Sequence, residues 1–274
     1  MLKKILLPTD FSKNALVAAN YAIELAGTLN YHLHIVHFYK PYTSPFQSQL
    51  ANESDERRSK LGAEKGMTDF IKTIRTRGTV QMSSELCKGN LGDSIHDYTA
   101  ENIVEMIIMG THGASGSRKD LLGSNTYDVV KQLNIPVLVV PEQAITFKAG
   151  HAVFFTDYLQ EDFYTLNVFK NIFSNSNPKC TLVHINSAST AEKEKLEGWR
   201  KKLSEGIGWL LQAKLADTRE ELEAVNHVIQ DIDAELTLIT LAGRKNFFEG
   251  LLHKSLAKAI ILHPQTPVFV TGKA

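Results

Sequence analysis

The stretch Ile107–Thr126, IIMGTHGASGSRKDLLGSNT, joins a short apolar run to a loop with four glycines and an Arg-Lys pair, and YDVVKQL follows at Tyr127–Leu133. An apolar run of this length, bounded by glycine, reads as a buried strand, and the segment after the loop has helical spacing. Strand, glycine loop and helix in that order are the unit of a parallel α/β sheet, where ligands settle beyond the carboxyl ends of the strands. The glycines make sense there if a ligand lies directly on the backbone. Gly110 and Gly113 lack a Cβ, so their amides are open to close approach and positive φ costs little. Gly123 and Ser124 then stand at the start of a helix, whose unpaired N–H groups and dipole favour an anion. The hydroxyls of Ser124 and Thr126 add donors, and Arg118 and Lys119 add positive charge.

Working outward, the chain repeats itself. KKILLPTDFS, from Lys3, resembles HAVFFTDYLQ, from His151; each is an apolar run that reaches Thr-Asp. Asp10 and Asp157 stand 147 positions apart, as do His37 and His184 in LHIVHFY and CTLVHIN. Gly110–Ser124 aligns without a gap on Thr240–Lys254 at an offset of 130, so the second copy is 17 residues shorter between these landmarks. The first copy has a polar insert there, KPYTSPFQSQLANESDERRSK. This pattern is a tandem duplication. It predicts one unit over residues 1–143 and a second over 150–274, with PEQAITFKAG (Pro141–Gly150) at the boundary.

Apolar strands alternate with amphipathic helices in each copy, which predicts an α/β protein with two tandem open parallel five-stranded sheets flanked by helices. In the first copy strands are expected near residues 3–8, 33–38, 79–86, 104–109 and 137–140, and helices near 13–29, 54–76, 92–101 and 123–133. In the second, strands are expected near 151–155, 180–185, 209–216, 235–240 and 267–271. A capping box of Thr218 and Glu221 opens a helix there.

Composition sets the bounds. The chain has 274 residues, 43% hydrophobic and 22% charged, as expected of a soluble globular protein of two domains. Lys+Arg and Asp+Glu both number 30, which argues against a general nucleic-acid or anionic-membrane binder. The opening MLKKILLPTDF is too short in apolar residues for a signal peptide, and no apolar run reaches membrane-spanning length. Cys87 and Cys180 suggest neither a disulfide framework nor a CxxC metal site. A cytoplasmic protein is the expectation.

An elongated polyanion such as a nucleotide phosphate tail suits the glycine loop. Asp10 would repel phosphate, so its carboxylate belongs at the other end of the ligand, accepting from a ribose hydroxyl or a base amino group. The better-known phosphate motifs are absent: there is no GxxxxGK[ST] and no GxGxxG after a strand.

Gly110, two residues, Gly113, nine residues, Gly123 and Ser124 match the G-2x-G-9x-G-(S/T) signature of the ATP-binding members of the universal stress protein family. ILLPTDFS is similar to that family's first strand and turn, and PVLVV to its fifth strand. The resemblance spans both copies, strongly in the first and weakly in the second. It implies that Pro8, Thr9, Asp10 and the backbone of Phe38 hold adenine and ribose, and that Met109 and Gly110 border the ribose. Gly113, Gly123, Ser124, Asn125 and Thr126 would hold the phosphates. Phe38 departs from the small aliphatic residue usual at its place. The implied ligand is ATP or another adenine nucleotide, with any Mg²⁺ held mainly by phosphate and water. The resemblance also implies that Pro136–Val140 and Pro267–Thr271 lie against each other in an intramolecular pair, and it leaves further homodimerisation open.

In the second copy Thr240, His253, Lys254 and Leu256 replace Gly110, Gly123, Ser124 and Thr126, and only Gly113 survives, as Gly243. A degenerate second site is expected, with Phe247 and Phe248 read as packing residues. Other chemistry finds less support. His32 and His34 share a strand face while His37 points away, so the three cannot ligate one metal. Ser124 and Cys87 lack an identifiable base and orienting acid, so no catalytic residue is assigned. ESDERR reads as a solvated helix start, and Asp120 alone makes no metal site. The expected role is a nucleotide-responsive stress or signalling module. The rivals are a slow ATPase or self-phosphorylating protein with Ser124 as acceptor, and an interaction scaffold that binds no nucleotide.

Overall fold

The computed structural model describes residues 3–41, 43–111, 124–187, 189–217, 221–241 and 251–272. The first half runs β1 (Lys4–Pro8), α1 (Lys13–Leu29), β2 (His32–Tyr39), α2 (Gln49–Ile74), β3 (Met82–Lys88), α3 (Leu91–Glu101), β4 (Met106–Gly110), α4 (Ser124–Gln132) and β5 (Val137–Val140). The second half repeats the pattern with β6 (His151–Phe155), α5 (Asp162–Ile172), β7 (Lys179–Ile185), α6 (Thr190–Ile207), β8 (Gln212–Ala216), α7 (Glu221–Asp231), β9 (Leu236–Thr240), α8 (Leu251–Leu262) and β10 (Val268–Thr271).

The two predicted five-stranded parallel sheets join edge to edge as one ten-stranded sheet, ordered β3-β2-β1-β4-β5-β10-β9-β6-β7-β8. The seam is the antiparallel pair β5–β10, with Val139 opposite Val268 and Leu138 opposite Phe269. Each half thereby covers an edge that the other would leave unpaired. This is the contact that PVLVV and PVFVT were expected to make.

Strand residues alternate between two cores, one on each side of the sheet. Ile5, Leu7, Leu138 and Phe269 belong to the layer under α1, α2, α5 and α6. Leu6, Ile107, Val139 and Val270 belong to the layer under α3, α4, α7 and α8. The joining segment is tied to both halves: the Phe147 ring meets Tyr21 edge-on and stacks near Phe173, and its N–H donates to Glu24.

Element boundaries differ from expectation where caps and local bonds decide them. α2 begins at Gln49 rather than near residue 54 because the Ser48 hydroxyl accepts from Ala51 N at 3.3 Å, so the acidic run lies inside the helix. β8 begins at Gln212 rather than near 209. Trp209 N and Leu211 N donate to the carbonyl and hydroxyl of Ser204, which binds this segment to the end of α6 instead of to β7. The Thr218 cap lies outside the described residues.

Candidate functional site

β1 and β4 are parallel neighbours, with Ile5 beside Met106 and Leu6 beside Ile107. From β1 the chain crosses toward β2, and from β4 toward β5, so their carboxyl ends flank the point where strand order reverses. The helices that follow lie on opposite faces: α1 covers one core and α4 the other. In open parallel sheets such a reversal point is where a ligand crevice lies.

Pro8 closes β1 and is buried. Thr9 extends the ladder by one bond, N–H to Val36 O at 2.9 Å, and its hydroxyl accepts from Phe11 N at 3.0 Å. Asp10 is exposed, and its Oδ1 accepts from Ser12 N at 3.0 Å. Phe11 takes φ 64°, unusual for a bulky residue, and its ring lies 4.2 Å from that of His37. His37 Nδ1 contacts Thr9 O at 2.7 Å, so a protonated Nδ1 holds the turn. Ser12 accepts from Ala15 N and caps α1. The turn that presents Asp10 is thus fixed from both sides.

On the β4 side Met109 is buried, and Gly110 ends the strand beside Val140. Gly110 has no positive φ; among the described glycines only Gly89 and Gly208 do. Its missing Cβ answers a different demand from the one expected. A Cβ there would stand 3.2 Å from the carbonyl oxygen and Cγ of Asn14, so the glycine lets the first turn of α1 close on the strand end. Thr126, at the start of α4, is buried and donates its hydroxyl to Gly110 O at 3.0 Å. That bond fastens the helix start to the strand end.

The structure therefore places Pro8, Thr9 and Asp10 at the end of β1, Met109 and Gly110 at the end of neighbouring β4, and Thr126 bonded to Gly110. Ser124 and Asn125 open α4. Gly113 and Gly123, with Arg118, Lys119 and Asp120, lie outside the described residues. Phe38 lies within β2: it pairs with Cys87, and its ring meets Tyr98 edge-on at 6.0 Å in the core beneath α3.

Two residues that the motif did not single out belong to this region. Asn14 is 3% exposed and donates to the hydroxyl of buried Thr111 at 3.1 Å, joining α1 to the residue after Gly110. A lone amide on the alanine-rich buried face of α1 was the only signal for it.

Away from the crevice, Ser83 lies 2.7 Å from His32 Nε2 and 2.6 Å from His34 Nδ1, while Tyr98 OH lies 2.6 Å from His34 Nε2. Burial lowers the pKa of His34 further than Glu85 raises it, favouring neutral imidazole. Burial pushes the Cys87 thiol up to about 11, away from a reactive thiolate.

The second half repeats the first turn. Thr156 N donates to Val183 O, Tyr158 takes φ 62°, and His184 Nδ1 contacts Thr156 O at 2.8 Å. At the end of β9, however, Thr240 occupies the place of Gly110 and bonds Thr165 at 2.7 Å.

Comparison with known proteins agrees with this geometry. Residues 1–141 match the family model described as the Universal stress protein family. The chain is 32% identical over 142 residues to Universal stress protein MJ0531 of Methanocaldococcus jannaschii, covering 51% of this chain and 82% of that protein. It is 29% identical over 161 residues to Universal stress protein MJ0577 of the same organism, covering 51% and 95%. The crystal structure of a universal stress protein from Archaeoglobus fulgidus superposes with a TM-score of 0.77 at 17% identity, covering 99% of this chain and 98% of that one, so the shared fold spans both halves. The chain belongs to the universal stress protein family.

Proposed function

We propose that the first half binds ATP or a related adenine nucleotide and that the protein acts in the cytoplasm as a nucleotide-responsive stress or signalling module. In this proposal the units are residues 1–143 and 150–274, and the first contains the site. The observation that carries the reading is the Thr126–Gly110 hydrogen bond, which fastens the α4 start beside the β1–β4 crevice. A helix N-terminus attracts phosphate there, while exposed Asp10, across the crevice, suits the uncharged nucleoside end. Pro8, Thr9, Asp10, Met109 and Gly110 would border the nucleoside, together with the Phe38 backbone. Gly113, Gly123, Ser124, Asn125 and Thr126 would hold the phosphates, with any Mg²⁺ held chiefly by phosphate and water.

Equilibrium binding of ATP, ADP and AMP to Asp10→Ala and Asp10→Asn tests the orientation. Asparagine keeps an acceptor for Ser12 N and so separates the ligand contact from the turn. Asp10→Ala should weaken all three nucleotides by similar factors, about tenfold or more for a lost hydrogen bond to a charged group. A loss confined to ATP would place Asp10 at the phosphate tail and contradict the orientation.

A further inference from the structure

The two halves differ most sharply at a group of buried polar side chains found only in the second. Asp162, Thr165, Thr240 and Thr271 stand at the positions of Ala15, Ala18, Gly110 and Val140 in the first half. The matching of α5 to α1 rests on structure: Phe11 and Tyr158 share a positive φ, and the buried positions of α1 recur along α5 at the same offset of 147. Four small or apolar residues have become one acid and three hydroxyls, in mutual contact. Thr165 Oγ1 lies 2.7 Å from Thr240 Oγ1 and 2.6 Å from Thr271 Oγ1, joining α5 to the ends of β9 and β10. Asp162 is 1% exposed, and its Oδ2 accepts from Thr156 Oγ1 at 2.5 Å and from Trp199 Nε1, on α6, at 3.2 Å.

A carboxylate so placed must be neutralised or fully bonded. Neither condition is met: no ion pair to Asp162 occurs among the described residues, and Oδ1 is buried without a hydrogen-bond partner. Thr165, Thr240 and Thr271 bond one another, and the Thr156 hydroxyl donates to Oδ2. A proton is the ligand that relieves this site.

We propose that Asp162 is a proton switch of the second half: protonated, it lets α5 pack against β9, β10 and α6, and its ionisation loosens that packing. Burial pushes the Asp162 pKa up to about 7; the Thr156, Thr240 and Trp199 donors oppose the rise and the charge of Asp157 adds to it. Other charged groups stand on the elements around it. They are Glu161 at the start of α5, His184 on β7 with Glu192 of α6 at 3.7 Å, Lys195 over the Tyr158 ring and Lys202 over the Trp199 ring.

The sign is unusual for an acid. An unfolded aspartate releases its proton near 3.8, whereas the folded chain keeps it to about 7, so the folded state binds more protons between these values. Stability therefore falls as pH rises through that window, and no penalty exists below it.

Trp199 supplies the readout, since the chain has 2 tryptophans and Trp209→Phe leaves it alone. In that background Trp199 emission should titrate with a midpoint near neutral, and Asp162→Asn should abolish the transition. Asp162→Asn should also raise the melting temperature, by an amount that is smallest near pH 4, grows as pH rises and levels off above about pH 7. An emission transition that survives Asp162→Asn, or no transition between pH 5 and 9, would overturn the proposal. If Asp162→Asn does not fold, Thr156→Val carries the test. It withdraws a donor from the ionised carboxylate and should move the midpoint upward; an unmoved midpoint would overturn the switch.

Discussion

At the scale of single residues, Gly110 shows how one position serves two demands. In the sequence it is the first glycine of a phosphate-type signature. In the structure its bare Cα faces the first turn of α1. Gly110→Ala should therefore destabilise the fold without any ligand present. The new methyl would press on the backbone oxygen of Asn14 rather than on a flexible side-chain tip, at a cost of roughly 1–3 kcal/mol. Thermal unfolding of the nucleotide-free variant measures this. An unchanged melting temperature would return the glycine to a purely ligand-facing role. The same contrast explains Thr240. At the end of β9 a side chain is tolerated because its hydroxyl finds Thr165.

At the scale of elements, the turn between β1 and α1 positions Asp10, and Ser12 secures it by capping α1. Ser12→Ala should cost about 1 kcal/mol of stability. The variant keeps the backbone N–H that donates to Asp10, so nucleotide binding should weaken only as far as loss of the cap loosens the turn. Chemical denaturation and binding, measured on the same variant, check both; full affinity would mean that the turn holds without its cap. The strands were legible in the sequence because their apolar runs are short and bounded by glycine, proline or polar residues. β5, β6 and α1 fall on their expected bounds. What was not legible depended on tertiary bonds: the Ser48 cap that lengthens α2 and the Ser204 contacts that delay β8. At the ends of β1 and β4, the segments PTD and MGTHG could be placed from the strand pattern, and the family resemblance named the single residues. The Asn14–Thr111 bond could be read from neither, because the two residues are 97 positions apart and neither belongs to a motif. The Asp162 group was hidden for a related reason: a Thr-Asp repeat is visible in sequence, whereas a buried acid on a helix face looks like any surface acid until the helix is packed.

At the scale of the whole molecule, the duplication builds one continuous sheet whose halves have diverged at equivalent strand ends. The first half keeps Ala15, Ala18 and Gly110 there; the second fills the same space with Asp162, Thr165 and Thr240. That asymmetry supports the two proposals made above, a nucleotide in the first half and a response to pH in the second. Titration calorimetry of ATP into the full chain tests this claim most directly, with Gly123→His as the comparison because it places the second copy's residue in the first. The account predicts saturation at ~1 nucleotide per chain for the parent and an affinity at least about tenfold weaker for the variant, as expected for lost hydrogen bonds to a charged phosphate. Two equivalent sites, no binding at all, or a variant that binds as tightly as the parent would contradict it.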